Sequence, residues 1–464
     1  MSEKDLVLTE ETKAETTEVV VVRNEKSEHT HHHHSHHHSH HGHHHSRRHH
    51  KHSNKRHKEN KLTSFVRHNK KKVIYCGIAI VFVVVLLLFS LDMDDYLHKG
   101  GGGTPAGSQG SSQNTTEASL QLEVPFFSSQ VSLVNPAVTA YMNVDVSIPA
   151  NEIFKKYRGE EGTIRLDLGV PVTLSYKVLG MPNGCTVKKA VVYVSENADF
   201  TAAKSYTLKN TDTSVKIPHL KVATCYYYRF DVTMSNKAVT SVSGSFETAV
   251  SPRILSVDGI ANVRDVGGWM TASGQRVKQG LLYRGTELDG AVMANYTITE
   301  KGINTLLAEF GVRTDMDLRA KTDNKTGVDA LGVGVEHIYY AAPMYTAAFD
   351  KGGQDALRAV FSDLANPAKY PVYLHCTHGL DRTGTAVYIL QALLGVSEED
   401  LMREYQLSSL HHGDLWGLEQ MKEFIAAFDS LDGATTQDKA ETYLLSAGVT
   451  QEEINSIRRI FLGE

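Results

Sequence analysis

The chain has few cysteines and no strong excess of charge of one sign. Its four cysteines among 464 residues are too few for a disulfide scaffold, and none has the spacing of paired metal ligands. The net charge of -5 gives no sign of a nucleic-acid partner. Apolar and charged fractions of 41% and 22% are those of ordinary globular domains. The length of the chain allows two or three such domains.

One long segment both lacks charge and is apolar almost throughout. Residues 73–91 read VIYCGIAIVFVVVLLLFSL, which is long enough to cross a bilayer as a helix. A buried core helix is the alternative, but such helices seldom lack a polar face. Basic residues precede the segment and three aspartates follow it, so we expect a single-pass membrane protein with a cytoplasmic N-terminus. Everything after residue 91 then lies outside the cytoplasm, unless the segment inserts in reverse.

Two low-complexity segments flank the predicted span. Residues 1–72 are rich in His, Lys and Arg from His29 onward and lack apolar periodicity, which predicts disorder. Such a tail binds transition-metal ions weakly or is attracted to anionic lipid. Residues 92–120 include a Gly/Ser-rich stretch typical of a flexible linker.

Residues 121–250 are predicted to be all-β, because short alternating segments are separated by turn signals. Leu220, Thr224 and Tyr226 form an L-x-x-x-T-x-Y pattern that resembles fibronectin type III domains. That resemblance implies a β-sandwich whose tyrosine pins a corner of the fold, with a protein or glycan ligand as one role. Residues 121–165 fit the resemblance poorly and are expected to form an extra strand or an irregular lead-in.

Cys185 and Cys225 both fall in this all-β segment. An oxidising exterior would allow them to pair across the sandwich. Two buried thiols are the alternative, since a sequence does not show whether the required geometry exists.

Residues 251–464 alternate predicted strands and helices, which indicates an α/β domain with a mainly parallel sheet. The segments TDMDLRA, HIYYAA and PVYLHC are predicted strands, and TGTAVYILQALLG is a predicted apolar helix. Ser397 and Thr450 have the spacing of helix N-caps, each with an acidic residue three positions later.

A ten-residue stretch, HCTHGLDRTG at 375–384, joins the last predicted strand to that helix and has the spacing C-x5-R. Backbone N–H groups of such a loop cradle a phosphate, and the positive field of the helix start favours a reactive thiolate at Cys376. Arg382 offers a planar fork to two phosphate oxygens, and Thr383 is expected to assist the sulfur as it leaves. The predicted phosphate-binding residues are Thr377, His378, Gly379, Leu380, Asp381 and Arg382.

C-x5-R alone is a weak signal, and a buried structural cysteine is the alternative. The surrounding motifs are more specific, because they resemble the atypical bacterial tyrosine and dual-specificity (lipid) phosphatases. The resemblance lies in NVRDVGG at 262–268, GLLYR at 280–284, GVRT at 311–314, DLR at 317–319 and the LLGVSEEDL segment with Tyr405 after the loop. It covers nearly all of residues 255–464.

This resemblance implies a role for each matching residue, with no metal or cofactor. Cys376 is the implied nucleophile and Arg382 the phosphate clamp. Asp381 is the implied general acid, and Asp317 is the second candidate, unless it only fixes Arg319 through an ion pair. Arg284 and His375 are candidate substrate contacts, although a structural salt bridge explains Arg284 equally well. Asp265 is expected to be structural.

Two residues depart from the family pattern. Leu380 stands where a lysine is common, and losing that charge disfavours polyanionic lipid headgroups and favours phosphotyrosine. His378 makes the loop resemble that of RNA 5′-triphosphatases, a minor alternative because the NVRDVGG opening and Asp381 are absent from that family. Phosphatase activity on phosphoproteins, phosphorylated small molecules or lipids is therefore expected. A non-catalytic surface protein that binds phosphate through a vestigial loop is the alternative.

Overall fold

The computed structural model describes residues 120–159, 164–209, 211–250, 252–323 and 329–463. All of these belong to one compact unit that starts at Gln113. The predicted tail at 1–72 and the predicted membrane span at 73–91 lie outside the described residues, as does the predicted linker at 92–120 apart from its last residue. Within the described ranges, no helix is long and apolar enough to cross a membrane. The span therefore stays a prediction.

Among the described residues, eight antiparallel strands precede residue 250. One sheet has the order β5-β4-β7-β8, while β2 pairs with β6 and β1 pairs with β3. Strand β7 alternates, burying every second side chain from Tyr226 to Met234 in a core shared with β2 and β6. The bounds are β1 Gln121–Glu123, β2 Val172–Ser175, β3 Lys177–Leu179, β4 Val187–Ser195, β5 Lys204–Leu208, β6 Ser214–Ile217, β7 Cys225–Met234 and β8 Val239–Glu247.

The corner expected from the L-x-x-x-T-x-Y pattern has a counterpart here. The phenol oxygen of Tyr226 accepts a hydrogen bond of 2.9 Å from the amide of Lys221. The fibronectin likeness itself stays a prediction. Cys185 and Cys225 are both free thiols, so they do not pair in this structure. Cys185 is half-buried and Cys225 is exposed, so the alternative of two buried thiols is also wrong.

The all-β prediction for 121–250 is wrong between β1 and β2. Helices α1 (Pro136–Met142) and α2 (Ala150–Phe154) lie there, followed by a 3-10 turn at Lys155–Tyr157. Asn135 caps α1, accepting from the amides of the second and third residues after it, and proline occupies the first helical position. The buried side chains of these helices join the core of the phosphatase-like region, not that of the β-sheets. Short helices of this kind depend on tertiary contacts that local pattern does not show.

The α/β prediction for the C-terminal region is confirmed. Five strands have the order β12-β11-β13-β10-β9, and all neighbours are parallel except β9 and β10. Central strand β13 is buried at all four residues, as expected for a strand covered on both faces. The bounds are β9 Arg264–Asp265, β10 Leu282–Gly285, β11 Thr314–Asp317, β12 Glu336–Tyr339 and β13 Val372–His375.

Helices surround this sheet. The helix after β13, α5, is buried at every residue from Thr383 to Leu393, which explains its lack of a polar face. The predicted caps are confirmed: Ser397 accepts from the Asp400 amide, and Thr450 forms a capping box. The bounds are α3 Glu300–Asn304, α4 Lys351–Leu364, α5 Asp381–Leu393, α6 Glu398–Gln406, α7 Ser409–His412, α8 Leu418–Asp429, α9 Thr436–Ala447 and α10 Gln451–Leu462.

Candidate active site

The C-x5-R loop lies between the C-terminal end of β13 and the N-terminus of α5. Cys376 directly follows the strand and is 2% exposed. Gly379 has a φ of +64°, and a Cβ there would come within 2.2 Å of the carbonyl oxygen of Gly285. Only glycine meets both conditions, so the loop turns tightly against β10 and reaches α5 within five residues of Cys376.

The carbonyl groups of the loop are held by side chains and amides outside it. Asn262 donates from Nδ2 to the carbonyl oxygens of His378 (3.2 Å) and Gly379 (3.3 Å). The amide of Glu287 donates to the carbonyl oxygen of Thr377 at 3.0 Å. Among the described residues, the amides of 377–382 donate no hydrogen bond to the protein. The loop therefore offers a row of free N–H groups at a helix N-terminus, which is an anion-binding arrangement.

Arg284 supports this loop from beneath, not from the substrate side. It is fully buried, donates to the carbonyl oxygen of Gly379 and pairs with Glu404 at 2.7 Å. Glu404 also binds Arg264 at 2.7 Å, so one carboxylate on α6 bridges two arginines. The structure shows the salt bridge that was the alternative for Arg284, and contact of Arg284 with substrate stays a prediction.

Arg382 and Thr383 have polar groups that are not paired within the part of the chain that the structure describes. The half-buried Arg382 forms no ion pair with a described carboxylate. The hydroxyl of Thr383 is buried and has no hydrogen-bond partner among those residues. A buried hydroxyl without a partner is unusual in a folded protein. Both groups are therefore available to an anion bound in the loop.

Asp381 is held by a tyrosine that the sequence did not single out. The phenol of Tyr345 donates to Oδ1 of Asp381 and lies 2.9 Å from the phenol oxygen of Tyr405. Burial raises the pKa of Tyr345, with Tyr405 and Asp381 adding to the effect, so the phenol stays protonated as a donor. Tyr345 belongs to no recognised motif, and its φ of +55° becomes apparent only in the structure.

Asp317 does not reach the site. It is fully buried, and its carboxylate binds Arg319 at 2.7 to 3.0 Å through three hydrogen bonds. Burial by itself would raise the pKa of Asp317, but His375, His337 and Arg319 outweigh it and lower the pKa well below its usual range. The structure shows the ion pair with Arg319 that was the alternative for Asp317, and a role for Asp317 as general acid stays a prediction.

His375 is likewise internal. It is 1% exposed, and its Nε2 lies 3.0 Å from a carboxylate oxygen of Asp315. Burial would lower the pKa of His375, but Asp317 and Asp315 raise it to about 9. The ring of His375 is enclosed beside these two carboxylates, and its contact with substrate stays a prediction. Asp265 is structural as expected, paired with Arg253 at 2.6 Å.

Comparisons with known proteins agree with this geometry. Residues 255–463 match the model of the tyrosine phosphatase family. A protein of Cupriavidus necator, whose name assigns it provisionally to the tyrosine-protein phosphatases, is 30% identical over 171 residues. That match covers 32% of this chain and 61% of the relative. The C-terminal region is therefore similar to domains of the tyrosine phosphatase family, and the chain spans less than two thirds of this relative's length.

Two solved structures also match. One is the core catalytic domain of the S. cerevisiae PP-IP phosphatase SIW14 in complex with citrate, and the other is a Siw14 catalytic core. Their sequence identities to this chain are 14% and 13%, and each has a TM-score of 0.26. The matches cover 42% and 43% of this chain, and 94% and 98% of the two solved chains. At these TM-scores neither structure adds to the assignment.

Proposed function

We propose that the C-terminal region, residues 251–464, hydrolyses phosphate monoesters through a phosphocysteine intermediate, with phosphotyrosine as the first substrate. Phosphoserine, phosphothreonine and phosphoinositides are further candidates. The observation that supports this proposal is the loop of residues 376–382, whose carbonyls are held from outside and whose amides have no described partner. A structural cysteine would not require that arrangement.

In the first step, the phosphate sits on the free amides with two oxygens on Arg382. The thiolate of Cys376 attacks phosphorus, the S–P bond forms and the P–O bond to the leaving group breaks. Asp381, held by Tyr345, gives its proton to the departing oxygen. The products of this step are a free alcohol or phenol, the phosphocysteine and an Asp381 carboxylate.

In the second step, water attacks the same phosphorus. The Asp381 carboxylate takes a proton from the water, the O–P bond forms and the S–P bond breaks. The departing sulfur receives a hydrogen bond from Thr383, whose buried hydroxyl has no other described partner. Inorganic phosphate leaves, and Cys376 and Asp381 return to their starting states.

Phosphate release by the full chain tests the proposal, with phosphotyrosine, phosphoserine and phosphothreonine peptides and a phosphoinositide as substrates. Wild type is expected to turn over under reducing conditions, and Cys376→Ser to lose turnover while still binding phosphate. A wild-type protein that releases phosphate from none of these substrates, but binds them, would instead be a phosphate-binding surface protein.

The location of the enzyme belongs to the same proposal. The charge-free run at 73–91 and the basic residues before it favour a plasma-membrane anchor with the catalytic domain outside the cytoplasm. Protease added to intact cells should then remove the catalytic domain. Digestion only after permeabilisation would favour the reverse orientation.

A further inference from the structure

Three aromatic rings meet beside the catalytic loop. The ring centroid of Trp416 lies 5.2 Å from that of His378 and 4.9 Å from that of His412. The ring centroids of the two histidines are 5.4 Å apart. The ring planes cross at 66° to 85°, the edge-to-face geometry that aromatic pairs prefer. We name these three residues the aromatic wall.

We propose that the aromatic wall receives the aryl ring of phosphotyrosine and makes the site selective for aryl over alkyl phosphates. His378 belongs to the phosphate loop itself, so a ring attached to a bound phosphate would emerge beside it. Trp416 is 49% exposed, which leaves part of its indole free for a ligand. The inference rests on the proposed function and deepens it by assigning the group that selects the substrate.

The aromatic wall is fixed to the loop that binds phosphate. The Nε2–H of His412 donates to the carbonyl oxygen of His378 at 2.9 Å. Next along α7, His411 lies 3.1 Å from the phenol oxygen of Tyr296 and 3.3 Å from a carboxylate oxygen of Asp167. These contacts hold the two histidines at the end of α7 in place, so His412 does not have to be ordered when substrate binds.

The histidines of the wall are neutral at physiological pH. Burial, followed by the neighbouring His411, lowers the pKa of His412 to about 3. Burial also lowers the pKa of His378. With Leu380 in place of a loop lysine, Arg382 is the cation that the loop itself contributes. A neutral apolar mouth with one guanidinium suits a single phosphate on an aromatic ring better than a polyanionic headgroup.

Substitution of Trp416 in the full chain tests the assignment. We expect Trp416→Ala to lower kcat/KM for a phosphotyrosine peptide roughly tenfold, mainly through KM, because the ring contact already exists in the ground state. The same peptide with phosphoserine should change less than about twofold. Trp416→Phe should restore most of the phosphotyrosine activity.

Leu445→Ala is the matched control, because Leu445 is an apolar residue of similar exposure, 44%, on α9. This variant should leave kcat/KM unchanged for both the phosphotyrosine and the phosphoserine peptide. An equal loss of kcat/KM for the phosphotyrosine and phosphoserine peptides in Trp416→Ala would overturn the assignment while leaving the proposed phosphatase activity intact.

Fluorescence gives a second measurement that does not depend on turnover. The chain has two tryptophans, and the other one, Trp269, is 2% exposed. In a Cys376→Ser background, phosphotyrosine peptide should change the emission, and Trp416→Phe should abolish that change. If saturating phosphotyrosine peptide leaves the tryptophan emission unchanged, the assignment is overturned. Wild type that fails to turn over but gives the expected fluorescence change would refute the catalytic proposal alone.

Discussion

At the residue scale, the two aspartates that the sequence offered as acids have opposite environments. Asp381 is partly exposed at the start of α5, whereas Asp317 is enclosed by Arg319 and two histidines. We predict that Asp381→Asn lowers kcat for phosphotyrosine on the order of 100-fold or more, and less for p-nitrophenyl phosphate, whose leaving group needs little protonation. Asp317→Asn should mainly lower the urea midpoint. The reverse pattern would return Asp317 to the mechanism.

Gly417 gives a second prediction at this scale. A Cβ there would lie 1.7 Å from the phenol oxygen of Tyr345, the group that holds Asp381. Gly417→Ala should therefore displace the phenol and lower kcat about tenfold or more, with smaller effects on KM. The control is Gly352→Ala on α4, where a Cβ meets nothing within 4 Å. Equal steady-state rates in the two variants would show that Tyr345 does not position Asp381.

Motif spacing predicted the residues at which an anion would bind, but not the side chains that hold the loop. Cys376 and Arg382 form a contiguous pattern whose chemistry dictates spacing. Tyr345 and Trp416 reach the site from separate loops, and one tyrosine or tryptophan among many carries no local signal. The sequence also left Asp317 and Arg284 ambiguous, because charge alone does not tell whether a partner will bury it.

At the scale of elements, Glu404 on α6 joins two buried arginines, Arg264 and Arg284, and Arg284 donates to the loop. Replacing one partner in a buried ion pair leaves the remaining charges without compensation. We predict that Glu404→Gln, which leaves Arg264 and Arg284 without their carboxylate partner, lowers the free energy of unfolding in urea by about 3–5 kcal/mol. The same variant should be inhibited more weakly by inorganic phosphate.

Glu399→Gln on the same helix is the control for that change. Glu399 pairs with Arg403 but is 59% exposed, so its loss should cost less than about 1 kcal/mol. Similar costs for both variants would mean that the bridge to Arg284 contributes nothing beyond an ordinary surface pair.

Strands β11 and β13 meet through His375, and this contact predicts a pH dependence. The pKa of His375 is raised to about 9 from an ordinary 6.5. The stability it contributes is therefore complete below pH 6.5 and is lost as the pH rises through about 9. His337, in the same cluster, also has a raised pKa and adds an effect of the same sign.

We accordingly expect the urea midpoint of wild type to fall between pH 7 and 10 by more than that of His375→Gln. The difference between the two proteins removes contributions from other titrating groups. Parallel curves would show that His375 is not charged in the folded protein.

At the scale of the whole molecule, periodicity predicted the two classes of structure but not where one region ends. Alternation gave the strands of the β-region, and the strand–helix pattern gave the parallel sheet. The all-β prediction failed at residues 136–157, because their apolar face is buried by helices more than two hundred residues away in the sequence. Local pattern does not contain such a partner.

This arrangement makes residues 136–157 part of the catalytic region. The amide of Ala150 donates to Gln406 at 2.9 Å, Arg403 donates to the carbonyl oxygen of Tyr141 at 2.9 Å, and Phe154 is fully buried. A fragment of 251–464, the predicted domain, lacks all of these contacts and exposes the apolar faces of α6 and α7.

We therefore predict that the 251–464 fragment unfolds at a lower temperature than a 120–464 fragment and has lower phosphatase activity. Exposing buried apolar surface costs free energy in proportion to its area, and α6 carries the glutamate that supports Arg284 beneath the loop. Thermal unfolding and phosphate release on both fragments measure this. Equal unfolding temperatures and equal kcat/KM would mean that α1 and α2 only cover the surface of a domain that folds without them.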